Sequence, residues 1–331
     1  MLAGIYDMHN SDQLNLIVIG ASAGGFAAVS KLLATFNDDL NAAVFVVIHI
    51  SRNSDADIVC KMLQKQTRLH CQVALDGQTI KKHSVYIAPA DHHMMVDVGK
   101  ILVQKGAYEN HYRPSIDVLF RSAAAAYGAC VTGIILTGML DDGTSGMYAI
   151  KRSGGICIVQ SPEEAEFPNM PFSVINNVQV DHQLKVAEMG LLLNELLMNR
   201  TCTAGEIPDD VKFEAEITKR MSSRPEDLQK LGPAVDLTCP DCGGTLHKIE
   251  QDAISRFRCF TGHAFTASCL EDLQLKSLEE SLWTAIRMME ERRNLLVSIH
   301  DSSGRKTERA EQLEVHVGRL KTMLANLTRA E

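Results

Sequence analysis

The stretch "LNLIVIGASAGGF", residues 14–26, decides the fold. Its apolar run reads as a buried strand, and the run breaks into a glycine-rich turn ahead of a helical segment. Strand, turn and helix in that order open a doubly wound α/β sheet. The turn itself supports two readings. Its glycines can cradle a phosphate, or they can project the turn's one hydroxyl, Ser22.

Outward from this stretch the alternation continues. "AAVFVVIHI", "HCQVAL", "SVYIAPA", "VTGIILTG" and "GGICIVQS" read as further buried strands, with helical stretches such as "GGFAAVSKLLATF" and "PSIDVLFRSAAAAYG" among them. In the second of these Ser115, after Pro114, is the expected N-cap. "HMMVDVGKILVQKG" breaks the pattern, and its central Gly99 predicts a β-hairpin beside the main sheet. The expected class is therefore α/β, a mostly parallel sheet with flanking helices over residues 12–197. Residues 198–235 are polar and without a clear period, and read as a linker with short helices. Residues 236–269 are rich in cysteine. Residues 270–331 carry two seams at steps of three and four: Leu275, Leu278, Leu282, Ala285, Met289, Leu296 and Ile299, interrupted by Arg292, then Leu313, Val317, Leu320, Leu324 and Leu327. With "SSG" at 302–304 between them, they predict a helical hairpin or short coiled coil.

The bulk composition narrows the function. The 331 residues allow a core domain of about 200 residues plus small modules. A net charge of −8 without a basic block argues against nucleic acid, which needs clustered Lys and Arg to displace counterions. "MLAGIYDMHNSDQ" has no basic n-region, and the chain has no run of about 20 apolar residues. Neither a signal peptide nor membrane insertion is expected, and the location should be the cytoplasm. Nine cysteines in a reducing compartment are then not a disulfide framework. Cys60, Cys71, Cys130, Cys157 and Cys202 read as small buried hydrophobes.

The other strand ends test the turn, because ligands and catalytic groups of a parallel sheet gather at the C-terminal edge. A dinucleotide site wants G-x-G-x-x-G and an acidic residue closing the second strand. Here Ser22 replaces the second glycine, and the second strand ends at His49 with no Asp or Glu before Asp55. "GASAG" instead fits G-x-S-x-G, which projects a serine at a helix N-terminus where free N–H groups can hold an oxyanion. A plain helix cap competes with that reading. His49 offers the base such a serine needs, with His92 and His93 as rivals that a hairpin would carry outward. "GIILTGMLDDGTSGM" supplies Asp141 and Asp142 to orient the imidazole, and spacing does not choose between them. A polar turn is the structural alternative for both.

Late in the chain "CPDCGGTLHKIEQDAISRFRCFTGHAF" places Cys239, Cys242, Cys259 and His263 as C-x2-C, a gap of 16, then C-x3-H. Thiolates and imidazole at this spacing predict a structural zinc ribbon with all four positions filled. Cys269 and His247 are substitute ligands.

Taken as a set, "IGASAGG", "VVIHIS", "VYIAPADHH", "RPSIDVLFRSAA", "LTGMLDDGTSGM" and "EAEFPNMPFSVI" resemble the catalytic domain of CheB-type protein-glutamate methylesterases over roughly residues 12–197. The resemblance implies Ser22 as nucleophile, His49 as base and Asp142 as orienter. It also implies that the backbone of Met139 lies in the active-site turn and assists the oxyanion, with no cofactor for catalysis. Where the family often has Thr after the nucleophile this chain has Ala23, whose N–H can still serve. Leu140 stands where the family often has Gly. The implied reaction is hydrolysis of glutamate methyl esters, with glutamine deamidation at the same site, on methyl-accepting chemotaxis receptors. Many members carry an N-terminal phospho-receiver. About 12 residues precede the first strand here, so control by a separate chemotaxis protein through the ribbon and tail is expected instead. A catalytically silent adaptor on the same fold is the alternative.

Overall fold

The structure, a computed structural model, describes residues 14–198, 200–202, 205–221, 223–298 and 305–327. The N-terminal stretch read above for a leader, Ile299 and residues 302–304 lie outside the described residues. The chain divides into two units, the second beginning at Leu270.

The first unit opens with β1 (Leu16–Ala21), α1 (Gly25–Leu33), β2 (Ala43–Ile48), α2 (Ala56–Gln64), β3 (His70–Val73) and β4 (Ser84–Ile87). The expected hairpin follows as β5 (His93–Asp97) and β6 (Lys100–Gln104), turning at Gly99 with φ 73°. Then come α3 (Ile116–Tyr127), β7 (Val131–Ile135), α4 (Thr144–Arg152), β8 (Ile156–Gln160), α5 (Asn169–Asn177), β9 (His182–Leu184) and α6 (Val186–Met198). Seven strands form one parallel sheet in the order β3-β4-β2-β1-β7-β8-β9. This is the doubly wound α/β class. The edge strand β9 escapes a sequence reading because "HQL" holds no run of β-branched residues.

Alternation along the strands explains the two layers. Leu16 and Val18 of β1 and Phe45 and Val47 of β2 pack with Leu119 and Phe120 of α3 and Met147 of α4. Ile17, Ile19, Val44 and Val46 point the other way, onto Val29 and Leu32 of α1 and Met189 and Leu193 of α6. With both faces covered, each central strand is a continuous apolar run.

Beyond α6 the segment read as linker holds α7 (Asp209–Lys219) and α8 (Pro225–Leu231). The cysteine-rich segment folds as four antiparallel strands, β10 (Ala234–Thr238), β11 (Thr245–Ile249), β12 (Arg256–Cys259) and β13 (Ala264–Thr266). This small sheet does not stand apart. Arg258 Nη1 reaches Glu109 Oε1 at 2.9 Å, and Arg256 Nη2 reaches Glu214 Oε1 of α7 at 2.7 Å. Arg121 of α3 lies 3.1 Å from Glu109, and Asp252 lies 2.6 Å from Arg256. Three arginines and three carboxylates thus neutralise one another in the interior. Burial opposes a charge on Glu109, but Arg121, Arg258 and Arg256 outweigh it and hold the carboxyl below the ordinary range.

Cys130 and Cys202 depart from their expected role. They are joined by a disulfide with Cα atoms 5.5 Å apart, tying the start of β7 to the chain beyond α6. The pairing spans 72 residues, so spacing could not announce it, and it is at odds with the reducing compartment argued above. Cys60, Cys71 and Cys157 are buried free thiols, as expected of small apolar residues, and burial pushes Cys71 and Cys157 up to about 12.

In the second unit α9 (Ala267–Ser298), which begins three residues before that unit, pairs with α10 (Arg305–Leu327) around Ile286, Val317 and Leu324. Ile286 was not in the expected seam, and Leu278 of that seam is exposed. The ion pair Lys321–Glu290 marks the register of the two helices, which places Leu278 past the described end of α10.

Replacing one partner of the interior ion cluster leaves the others buried and uncompensated. Glu109→Gln is expected to lower unfolding stability by about 3–5 kcal/mol in denaturant titration. Because the folded-state pKa of Glu109 is lowered, its contribution is complete above the ordinary glutamate range and is lost as pH falls below ~4. The wild-type and Glu109→Gln stabilities should therefore converge in acid.

Candidate active site

The site forms where β1 lies between β2 and β7, at the C-terminal edge of the sheet. The β1–β2 ladder runs one step past its end, His49 N–H donating to the Ala21 carbonyl at 3.0 Å. On the other side Ser22 N–H donates to the Thr137 carbonyl at 3.0 Å. Ser22 and His49 are therefore laid side by side by backbone pairing, before any side-chain contact is counted.

The turn then reverses sharply. Gly25 N–H donates to the Ser22 carbonyl at 2.8 Å, and Gly24 takes φ 72° as the N-cap of α1. That left-handed position suits glycine. Since Gly24 makes the cap and no side chain bonds there, the Ser22 hydroxyl is not used for capping. It lies 3.1 Å from His49 Nδ1 instead. The opposite ring nitrogen, His49 Nε2, lies 2.9 Å from Asp142 Oδ2. The tautomer that satisfies both contacts carries its proton on Nε2, donates it to Asp142, and accepts from the serine at Nδ1. Tyr112 stacks face-on against the imidazole, with ring centroids 3.6 Å apart, and fixes its plane.

Asp142 is almost wholly buried and accepts from five donors. These are His49 Nε2, Asn110 Nδ2 at 3.0 Å, Ser115 Oγ at 3.0 Å, and the backbone N–H groups of Ile116 at 2.7 Å and Asp117 at 3.3 Å. Burial works against its charge, but the bond from His49, then those from Asn110 and Ile116, outweigh it and keep the carboxyl below its ordinary range. The last two donors open α3, so Asp142 caps that helix across the fold. Ser115 stands at the N-cap position as expected, yet its hydroxyl makes no cap and turns to Asp142.

Asp141, which spacing could not separate from Asp142, goes elsewhere and accepts from Thr266 Oγ1 at 3.0 Å. His93 lies inside the fold rather than outward, donating from Nε2 to the Ala107 carbonyl at 2.8 Å, because β5 packs on α3. His92 Nδ1 lies 3.1 Å from the Ala90 carbonyl. Leu140 keeps the turn that glycine would favour, at φ 62°. Ala23 follows Ser22 and Met139 follows Gly138, which packs against Ser22, and among the described residues neither N–H is taken by a protein acceptor. Gly138 is required by close approach, since a Cβ there would lie 2.8 Å from Ser22 Cβ and would also strike Met170. Beside His49 a cleft of about 460 Å³ is lined by Arg52, Tyr108, His111, Tyr112 and Arg113, with no carboxylate among the described residues of its wall. Asn110 and Tyr112 were missed from sequence. They are single polar residues in a loop, with no period or spacing to mark them.

The four cysteine-ribbon positions also converge. The ligand atoms of Cys239, Cys242, Cys259 and His263 all lie within 4.8 Å of one another and can hold a metal ion. His247 bonds the Gly232 carbonyl instead, and Cys269 lies outside the cluster.

Residues 17–193, more than half the chain, match the family described as CheB methylesterase. The chain belongs to the CheB methylesterase family. A Leptospira interrogans protein assigned by name to the protein-glutamate methylesterases/protein-glutamine glutaminases is 37% identical over 183 residues, which cover 54% of this chain and 94% of that one. A Methanosarcina mazei protein named protein-glutamate methylesterase/protein-glutamine glutaminase 2 is 33% identical over 183 residues, covering 53% of this chain and 50% of that one. The crystal structure of the Thermotoga maritima CheB methylesterase catalytic domain superposes with a TM-score of 0.53 at 30% identity, covering 56% of this chain and 99% of that chain. The family match ends before α7, so the ribbon and the helical pair lie outside it. No helix among the described residues is long and apolar enough to cross a membrane.

Gly138→Ala tests the close approach behind Ser22. Overpacking there is expected to cost about 1–3 kcal/mol of stability. Displacing the hydroxyl by a fraction of an ångström should slow labelling of Ser22 by a fluorophosphonate roughly tenfold or more.

Proposed function

We propose that the chain hydrolyses glutamate methyl esters on methyl-accepting chemotaxis receptors, and deamidates glutamines at the same positions, through Ser22, His49 and Asp142. The observation that carries this is the hydrogen-bonded row of hydroxyl, imidazole and carboxylate, 3.1 Å and 2.9 Å per step, at the strand edge of a CheB-family fold. Ser22 Oγ attacks the γ-carbonyl while His49 Nδ1 takes its proton, and Asp142 holds the imidazolium that forms. The free N–H groups of Ala23 and Met139 receive the developing oxyanion. His49 returns the proton to the departing methanol, or to ammonia when the substrate is glutamine. Water then attacks the acyl-serine with His49 again as base, releasing glutamate and restoring Ser22.

We also assign zinc to the ribbon, as a structural ion. Zn–S bonds of about 2.3 Å and Zn–N of about 2.0–2.1 Å in a tetrahedron require ligand edges of roughly 3.6–3.8 Å. The observed Cys242 Sγ–Cys259 Sγ separation is 3.7 Å, and His263 Nδ1 lies 3.6 Å from Cys239 Sγ and 3.5 Å from Cys259 Sγ. On this reading the protein acts in the cytoplasm. A separate chemotaxis protein acts on it through the ribbon or the helical pair, whose exposed Trp283, Leu295 and Val297 support a contact role.

Methanol release from methylated receptor membranes tests the reaction. Ser22→Ala should cut it by roughly 10³-fold or more, as loss of a triad member does elsewhere. A variant that still released methanol near the wild-type rate would refute the assignment. Metal analysis of untagged protein should find one zinc per chain.

A further inference from the structure

The loop that carries Asn110 and Tyr112 belongs to the ribbon as much as to the catalytic fold. Asn110 N–H donates to the Ala264 carbonyl at 2.8 Å, and Ala264 N–H donates to the Tyr108 carbonyl at 3.2 Å. The loop thus makes one parallel β-bridge, Glu109 opposite Ala264, on the free edge of β13. Two residues further along β13, Thr266 N–H donates to Asn110 Oδ1 at 3.0 Å. That bond fixes which way the buried amide faces. Its Nδ2 is left to donate to Asp142 Oδ1 at 3.0 Å and to Asp117 Oδ2 at 2.9 Å, so both amide protons are spoken for. The Thr266 hydroxyl meanwhile takes Asp141, the neighbour of Asp142.

The other end of β13 is the metal knuckle. His263 immediately precedes Ala264, and Cys259 ends β12. Cys259 N–H donates to the His263 carbonyl at 2.9 Å, closing the turn between the two strands. Two of the four ligand positions therefore set the hairpin whose outgoing strand grips Asn110.

We propose that the ribbon is a metal-dependent part of the active site: the ion orders the β12–β13 turn, β13 holds Asn110, and Asn110 holds Asp142 in line with His49. Asn110 is a positioning residue, since it touches the carboxylate and not the reacting atoms. The proposal rests on the esterase reading above for its consequence, but its geometry does not depend on the substrate. A chain stripped of metal keeps the parallel sheet, and with it Ser22 and His49, and loses the grip on Asp142. Loss of a buried bond to a charged acceptor is expected to slow the reaction about 10- to 100-fold.

The test uses the full chain with zinc bound, after reversible chelation, and after zinc is restored. Two readouts are followed: the labelling rate of Ser22 by a fluorophosphonate, and the low-field proton resonance of the His49–Asp142 hydrogen bond. Chelation should slow labelling by the stated factor and abolish or shift the resonance, with zinc restoring both. Cys242→Ser and Asn110→Leu should each reproduce the loss, and the double variant should be no worse than the poorer single one, because both act on one path. Labelling and resonance unchanged by chelation would overturn the proposal, as would single-variant losses that multiply in the double variant. Should Asn110→Leu misfold, the reversible metal arm decides alone. If zinc-loaded wild type fails to label while the resonance still follows the metal, the esterase reading falls and the coupling stands.

Discussion

One buried negative charge organises this molecule. Asp142 has lost water on all sides, and an isolated carboxylate in that position would take up a proton. It stays charged because five donors surround it, two of them the first N–H groups of α3, where the helix dipole also favours a negative charge. The same carboxylate therefore anchors a helix, orients an imidazole and binds an amide from a distant loop. Few substitutions there could be local. The turn after β7, the start of α3 and the ring of His49 all take their positions from one pair of oxygens.

A second carboxyl makes the arrangement stricter. Asp117 lies beside Asp142 and shares the Asn110 amide with it, while its other oxygen accepts from Gly146 N–H at 2.7 Å. Burial, and then the charge on Asp142, push the Asp117 carboxyl well above its ordinary range, toward its protonated form. Two adjacent buried carboxyls do not both ionise, and the one with more donors keeps the charge. The contrast in surroundings leaves the charge on Asp142, where the imidazole can use it. Tyr112 serves the same end from the other side, covering the ring of His49 so that its two nitrogens keep their separate partners.

These dependencies explain what was legible in the sequence. The sheet was legible because parallel strands buried on both faces must be apolar throughout, and Leu16–Ala21 and Ala43–Ile48 are. Ser22 and His49 were legible because each ends such a strand, and the edge of a parallel sheet brings strand ends together. Asp142 was not separable from Asp141 by spacing, since the choice is made by Thr266, 125 positions away. Asn110 was invisible for a related reason. Its φ of 51° and its three bonds come from tertiary neighbours, and nothing in "YENHYR" sets it apart from an ordinary loop. The Cys130–Cys202 bond and the docking of the ribbon are likewise contacts between segments that no periodicity links.

The ribbon could be read from its cysteines as a self-contained module, and its ligand set does look self-contained. Its electrostatics are not. Arg256 and Arg258 face inward and are almost fully buried, and the carboxylates that neutralise them include Glu109 and Glu214, which the ribbon does not supply. Detached, the small sheet would expose two arginines on what is now its inner face. The catalytic unit would be left with Glu109 and Glu214 sharing Arg121 alone. Neither half balances its own charge, so their separation carries the cost of breaking buried ion pairs as well as of exposing apolar surface. A sheet of four short strands has too little core to hold its own shape and relies on its ion and its dock. Disorder in the knuckle would accordingly not stay there: it would pass along β13 to the loop of Asn110 and Tyr112, and so reach the carboxylate and the stacked ring that hold His49.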